Sequence, residues 1–388
     1  MTWPRDEAKL ERVRALMAER DLDALVVRAP DNVLYLTNFW VMKGYDAVVF
    51  PREGEPTLIC LEPSADDAAH MSWTDDVRFF AGYHPADPRP PTARAVEVAR
   101  DVVEAAGYGS IGLELSLGTQ ASDRMVGEPT TFTHDYFHAF GMNVADATPL
   151  LAEVRAIKTG QEVERMRLAN EIAAAAMEHV RGLIRPGMTE AQAAALWEGF
   201  VHGEGTGWQG KVDLALGFSL VWSGPGIRTF TATTSRPVAE CEPTLFEIWV
   251  CADGYWADHT KNLCPGELKP RYRELLELLT GVYDDAVGFA RPGASLAELD
   301  RRIRAGIAEG GYPGQPSHPI CHGVGARAHE PPYPHQAAGG EFHEEMVLAI
   351  EPGIYWPEGG GLRLEDNFLV TAGAAEKLSP FPDGIVAC

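Results

Sequence analysis

Leu245-Phe246-Glu247-Ile248-Trp249-Val250-Cys251-Ala252-Asp253-Gly254-Tyr255-Trp256-Ala257-Asp258-His259-Thr260-Lys261-Asn262-Leu263 decides how the second half of this 388-residue chain is built. Asp253-Gly254 is a strong hairpin signal, because both residue types tolerate the left-handed backbone that a two-residue turn needs. The flanks, Leu245–Ala252 and Tyr255–Leu263, are rich in aromatic and β-branched residues and read as strands. Pairing centred on the turn sets Glu247 opposite Thr260. Glu247 and Asp258 then become diagonal neighbours on one face, within reach of a shared ion. Acids inside strands this apolar are expected to be paired, protonated or metal-bound.

A second hairpin is expected to join Met346–Tyr355 to Leu362–Val370 across a Gly-rich loop. If Ile354 pairs with Leu362, Glu351 faces Glu365. The resemblance between the two hairpins extends upstream. Helical stretches Glu162–Ile184 and Tyr272–Ala290 each stop at an Arg-Pro-Gly turn, at Arg185 and Arg291, which lie 106 residues apart. Thr189 with Gln192, and Ser295 with Glu298, then mark the starts of the next helices. The same offset carries Glu247 and Asp258 to within two residues of Glu351 and Glu365. The C-terminal portion therefore reads as a duplicated helix–helix–hairpin unit, each copy supplying two carboxylates. Four such carboxylates cannot all ionise side by side without cations between them. A pair of divalent ions is the simplest neutraliser for an oxygen-rich site.

His318, His322 and His329 fall within twelve residues of one another, beside Gly323 and Gly325. That density points to a site to which imidazole nitrogens contribute. His134, His138, His259, His335 and His343 are read as solvated. Four tryptophans, Trp208, Trp222, Trp249 and Trp256, crowd the first hairpin. Core and interface packing is the favoured reading of them, with an aromatic box for a cationic or cyclic ligand as the alternative.

Residues 1–150 alternate helical and strand signals. Ala8–Glu19 is a charged amphipathic helix and Ala24–Arg28 a short strand. Tyr45–Phe50 and Pro56–Leu61 form a hairpin across Arg52-Glu53-Gly54. Pro91–Ala106 is a helix and Ser110–Leu115 a strand, so this portion is an α/β domain. The remaining residues, 151–388, form a second domain. With 56 acidic against 33 basic side chains, the net charge is −23. Such acidity argues against nucleic acid or an anionic membrane as partner. The six cysteines are scattered, with no C-x-x-C pair. That spacing, and a first segment that runs straight into a charged helix rather than a signal peptide, fit a reduced cytoplasmic setting.

These residues resemble the family of creatinase, prolidase, aminopeptidase P and methionine aminopeptidase. The motifs are Gly254-Tyr255-Trp256-Ala257-Asp258, His322-Gly323-Val324-Gly325, His329-Glu330-Pro331, Ile350-Glu351-Pro352-Gly353 and Arg363-Leu364-Glu365-Asp366. Asn32 to Phe39 and Arg155-Ala156-Ile157-Lys158 are similar to the N-terminal domain and the interdomain junction of the longer members. The resemblance implies an α+β fold: a creatinase-like α/β domain followed by a "pita-bread" domain with internal pseudo-twofold duplication. It implies five metal ligands, Glu247, Asp258, His322, Glu351 and Glu365, holding two divalent ions (manganese, cobalt, zinc or iron) per subunit. Asp258 and Glu365 would bridge both ions. Glu247 stands where the family has an aspartate, one methylene shorter, which implies a weaker second site. His329 and His318 match histidines that meet substrate and the tetrahedral intermediate, and Arg363 matches the arginine of the aminopeptidase P motif. A homodimer is implied as well.

One departure bears on substrate. Peptidase members carry a further histidine after a Ser-Gly turn, whereas Ser223-Gly224 is followed by Phe230 and Thr231 at that position. Losing a hydrogen-bonding group there is expected to weaken peptide cleavage. The chemistry expected is metal-assisted hydrolysis, with Glu351 as proton carrier and His329 steadying the oxyanion. The favoured substrate is an Xaa-Pro dipeptide or a peptide with proline second. A small nitrogen metabolite, as for creatinase or ectoine hydrolase, is the alternative, and a binding protein that has lost catalysis is a third reading.

Overall fold

Asp6 caps the first helix, α1 (Glu7–Glu19), by accepting the Lys9 amide, and the buried stripe Leu10, Val13 and Met17 turns one face of that helix inward. The computed structural model describes residues 3–40, 45–114, 139–141, 144–337, 339–356 and 359–388. Leu115, His134 and His138 fall outside the described residues. The chain divides into two compact units, Met1–Arg155 and Ala156–Cys388.

In the first unit the chain continues through β1 (Ala24–Val27), α2 (Pro30–Thr37), β2 (Ala47–Pro51), β3 (Thr57–Leu61), α3 (Ala65–Met71), β4 (Val77–Phe80), α4 (Pro91–Ala106), β5 (Ile111–Leu113) and β6 (Ala145–Asp146). The six strands form one mixed sheet in the order β4-β3-β2-β1-β5-β6. Alternation on β1 feeds two cores. Leu25 and Val27 join Leu10, Val13 and Phe50 on one face, and Ala24 and Val26 join Val49, Ala95 and Val96 on the other. Helix α5 (Thr148–Ala156) closes this unit.

The second unit begins with α6 (Gly160–Leu183) and α7 (Glu190–Phe200), each opened by a reciprocal capping box, Thr159 with Glu162 and Thr189 with Gln192. Strands β7 (Ala215–Ser223), β8 (Thr244–Ala252) and β9 (Tyr255–Cys264) follow. Asp253 and Gly254 take φ of 45° and 84° between β8 and β9, as a tight hairpin turn requires. Ala252 pairs with Tyr255 and Glu247 with Thr260, the register expected from the turn. Helices α8 (Pro270–Phe289) and α9 (Leu296–Glu309, with Ser295 accepting the Glu298 amide) repeat the helical pair. The remaining strands are β10 (Cys321–Gly323), β11 (Val347–Ile350), β12 (Gly353–Trp356), β13 (Gly360–Arg363), β14 (Asp366–Leu369), β15 (Glu376–Lys377) and β16 (Ile385–Ala387). They give sheets ordered β16-β9-β8-β7 and β10-β11-β14-β15, with β12-β13 as a separate ribbon.

The second hairpin departs from expectation. Ile354 does pair with Leu362, and Ile350 pairs with Asp366 in the same register, yet the ladder is interrupted between them. Pro352 has no amide hydrogen to donate. The Glu351 amide turns instead to the Ile320 carbonyl at 2.9 Å, and Glu365 bridges to Thr260 of the first hairpin. Two expected strands are therefore four. The two hairpins meet along a seam made largely by side chains. Asp258 N donates to Asn367 Oδ1 at 3.0 Å and Asn367 Nδ2 donates to Asp258 O at 2.9 Å. Asn262 Nδ2 donates to the Arg363 carbonyl at 2.9 Å.

His259, expected to be solvated, is fully buried. Alternation along β9 sends it to the face opposite Asp258, where it lies 3.4 Å from Asp366. Lys261 and Tyr283 donate to Asp366 there. His335 and His343 are exposed. Four of the six cysteines are buried and all are free. Among the described residues, no helix is long and apolar enough to cross a membrane.

Candidate metal centre

The seam brings together side chains from distant parts of the second unit. Alternation on β8 and β9 presents Glu247, Trp249, Asp258 and Thr260 on one face. His322 enters from β10, Glu351 from the end of β11, and Glu365 from the residue before β14. Asp258, His322, Glu365 and Arg363 are each no more than 3% exposed, and Glu351 is 8% exposed. Burying so many acids in one place is tolerable only if cations or protons accompany them.

Two groups of potential ligand atoms are close enough for a metal ion. Asp258, His322 and His329 each offer one atom within 4.8 Å of the others, and so do His322, Glu351 and Glu365. His322 belongs to both. Its Nδ1 lies 3.0 Å from the Gly323 carbonyl, which selects the tautomer with the proton on Nδ1 and leaves the Nε2 lone pair free. That Nε2 and Asp258 Oδ2 are buried and have no hydrogen-bond partner, 3.5 Å from one another. Two orphaned acceptors facing one another suit a cation between them. The residues present therefore fit a divalent metal.

Burial, then repulsion from Glu365, Glu351 and Glu247, raises the Asp258 carboxyl well above its usual range. Burial and Glu365 do the same to Glu351. Burial lowers His322 to about 4 and His318 to about 3, so both rings are neutral at pH 7, as metal or hydrogen-bond ligands should be.

Arg363 lies within the carboxylate cluster. Its Nη2 is 2.9 Å from Glu247 Oε2, and its Nε donates to Thr260 Oγ1 at 2.6 Å and lies 3.5 Å from Glu365 Oε2. Glu247 thus faces a guanidinium, and it is in neither group of converging ligand atoms. His318 Nδ1 lies 3.3 Å from Glu351 Oε2, and its Nε2 lies 3.1 Å from the Tyr355 hydroxyl. His329 Nε2 lies 3.5 Å from Asp258 Oδ2. Phe230 stands outside this convergence: it is 74% exposed, with a left-handed φ of 59°.

The tryptophans divide. Trp222 and Trp256 are core residues, 1% exposed. Trp208 donates to Glu171 at 3.3 Å. Trp249 stacks on Phe218 across β7 and β8, with its ring centre 6.3 Å from that of His329. The four form no box, although Phe218 and Trp249 give the centre one aromatic wall.

Three residues of the site are not marked by the sequence. Thr260 was placed opposite Glu247 by register, but nothing in its type marked it as the group donating to Glu365 Oε2 at 2.6 Å. Tyr355 and Asn367 carried no signal. Asn367 holds the Asp258 backbone from both sides, so Asn367→Leu is expected to weaken metal binding about 10–100-fold, as loss of supporting hydrogen bonds typically does. Competition against a chelating dye measures it, and unchanged affinity would show that the strand alone orients Asp258.

Comparison with known proteins places the two units separately. The model of Metallopeptidase family M24 matches residues 164–372, and that of the Creatinase/Prolidase N-terminal domain matches residues 9–157. The chain is 25% identical over 381 residues to the putative dipeptidase YkvY of Bacillus subtilis, covering 97% of this chain and 99% of the relative. It is also 25% identical over 381 residues to an Xaa-Pro dipeptidase of Lactobacillus delbrueckii subsp. lactis, covering 93% and 94%. In fold it is similar to the Xaa-Pro dipeptidase from Bacillus anthracis, with TM-score 0.81, 22% identity, and 98% and 99% of the two chains covered. The prolidase from Pyrococcus horikoshii OT3 gives TM-score 0.79 at 24% identity, with 97% and 99% covered.

Proposed function

The chain belongs to metallopeptidase family M24 and is a metallohydrolase, and from that premise we propose that it cleaves Xaa-Pro dipeptides or removes an N-terminal residue that precedes proline. The observation that carries the reading is the pair of orphaned atoms, His322 Nε2 and Asp258 Oδ2, among converging carboxylates. Asp258, His322, Glu351 and Glu365 would hold the metal, with Glu247 as a fifth carboxylate shared with Arg363. Divalent ions, when bound, supply Lewis acidity and a water acidified to near neutrality. Glu351 would carry a proton on a carboxylate oxygen between the attacking water and the leaving nitrogen. His329 donates a hydrogen bond to the oxyanion. His318, tied to Tyr355, orients the substrate. Manganese, cobalt, zinc and iron all suit the donor set. A cytoplasmic homodimer completes the reading.

A second reading, hydrolysis of a small nitrogen metabolite, is favoured by the Phe218–Trp249 wall and by Phe230 where a histidine would serve peptides. Metal analysis with a dipeptide panel separates the two. Metal with Xaa-Pro turnover supports the peptidase, and metal without it supports the alternative. Turnover is expected to be weak, because a peptide polar atom left unpaired costs about 1–3 kcal/mol. Phe230 and Thr231 are both exposed, so Phe230→His and Thr231→His test the missing histidine directly: a gain in Xaa-Pro cleavage brings the bound peptide against this segment, and no gain removes the segment from the substrate's reach. Prolidase-like rates in the unmodified protein would remove the case for the second reading.

A further inference from the structure

Behind the loop that carries His329 lies an ion pair almost entirely removed from water. Lys158 Nζ donates to Glu330 Oε1 at 2.9 Å, with the two residues 1% and 3% exposed. Glu330 directly follows His329. Its amide donates to the Gly323 carbonyl at 2.9 Å, and the Gly323 amide donates to the Pro332 carbonyl at 2.8 Å. These two rungs close the loop onto the residue after His322. Lys158 is itself held from behind, since its amide donates to the Glu345 carbonyl at 2.9 Å and Ile157 bridges to Met346. Gly325 leaves the pair its space. A Cβ there would sit 2.3 Å from Glu330 Oε1 and 3.1 Å from Lys158 Cε.

A buried ion pair adds little stability over apolar residues of the same volume, so a well-supported role for one is to select a single arrangement. His329 needs such selection. Its Nδ1 is buried without a hydrogen-bond partner. Its Nε2 comes no nearer than 3.5 Å to Asp258, and its ring leans on His322 with centres 4.4 Å apart. Among the described residues no hydrogen bond fixes this ring. Its place is set by the backbone next to it, and that backbone is anchored by Glu330.

We propose that Lys158 is a positioning residue for His329, holding the ring at the metal centre through Glu330. The proposal rests on the reading that His329 acts on substrate there. The test uses the full chain, zinc-loaded and labelled with 15N-histidine, with His329 ring signals identified by their absence in His329→Ala. Because Lys158→Met leaves a buried carboxylate unpaired and can fail to fold, Lys158→Met/Glu330→Leu is made beside it to remove both charges. Expected in each folded variant are retained zinc, unmoved His322 signals, and His329 signals that shift or split. For whatever substrate the protein turns over, kcat should fall about a hundredfold, the scale of a misplaced catalytic group, with KM little changed. A double variant with wild-type melting temperature and His329 signals superposed on the wild type overturns the proposal. The resonance arm needs no substrate, so failure of Xaa-Pro cleavage and failure of Lys158 to position His329 are told apart.

Discussion

His322→Ala is expected to abolish hydrolysis and strip the protein of metal, whereas His329→Ala should lower the rate and keep the metal. The difference follows from what each ring touches. His322 is the member common to both sets of converging ligand atoms. Its Nδ1 is committed to the Gly323 carbonyl, so Nε2 faces Asp258 and Glu351 at 3.5 and 3.7 Å with nothing else to bind. Alanine removes the neutral nitrogen and leaves carboxylates facing a cavity. His329 is more open, with its side chain 18% exposed, and it stands on the side of the aromatic wall. In the proposed role its loss would remove an oxyanion donor, at an expected cost of about 10²–10³ in kcat. Metal content by mass spectrometry, measured beside initial rates, decides the matter. Equal metal loss in the two variants would make His329 a ligand and contradict its assigned role.

The metal-free protein is expected to lose thermal stability as pH rises above about 6.5, and the metal-loaded protein is not. Asp258, Glu351, Glu247 and Glu365 are all raised on folding, with burial the largest cause for each. A raised carboxyl binds its proton more tightly in the folded state. Its contribution is in place below the unfolded value and is lost as pH climbs through the folded one. The histidines run the other way. His322 and His318 are lowered to about 4 and about 3, so their contribution is in place above about 6.5 and is lost on acidification. The two effects oppose one another from about pH 4 to 6.5. Above that the two histidines no longer contribute, and the raised carboxyls oppose the folded state as they ionise. Metal ions would take the place of the protons, so the gap between melting temperatures with and without chelator should widen as pH rises above about 6.5, and binding should release protons. A metal-free melting temperature that climbs over this range would mean that the carboxylates are already compensated within the protein.

Much of this was legible because hairpins obey local rules. Asp253-Gly254 centred the first hairpin, so the face shared by Glu247, Asp258 and Thr260 followed from alternation alone. Thr189 and Ser295 marked the repeated helix starts through capping chemistry, which needs only neighbouring residues. What stayed hidden depended on partners far along the chain. Asn367 reaches Asp258 across 109 residues, and Lys158 reaches Glu330 across 172. Neither pairing has a periodicity to betray it. His259 runs against expectation because a histidine in a strand is ordinarily wet. Its burial depends on Tyr283 of α8 and the strand bearing Asp366 covering that face, which no local pattern announces. The break at Pro352 was available in the residue type, but not the fact that Glu365 would use its freedom to join the other hairpin.

The stitched seam also bears on how the two copies of a duplicated unit can change over time. A strand that pairs through its backbone accepts almost any neighbour, since every residue offers the same amide and carbonyl. Here the halves recognise one another by amide, hydroxyl and guanidinium groups that only particular residues possess. Thr260 is matched side chain to side chain with Glu365 and Arg363, while Asn367 grips the backbone of Asp258 and Asn262 the carbonyl of Arg363. A substitution at Thr260 must await a compensating one at Glu365 or Arg363, more than a hundred residues away, and one at Asn262 or Asn367 leaves a backbone group of the other half without its partner. The halves are thereby bound to drift together, and neither can be exchanged for a second copy of its twin.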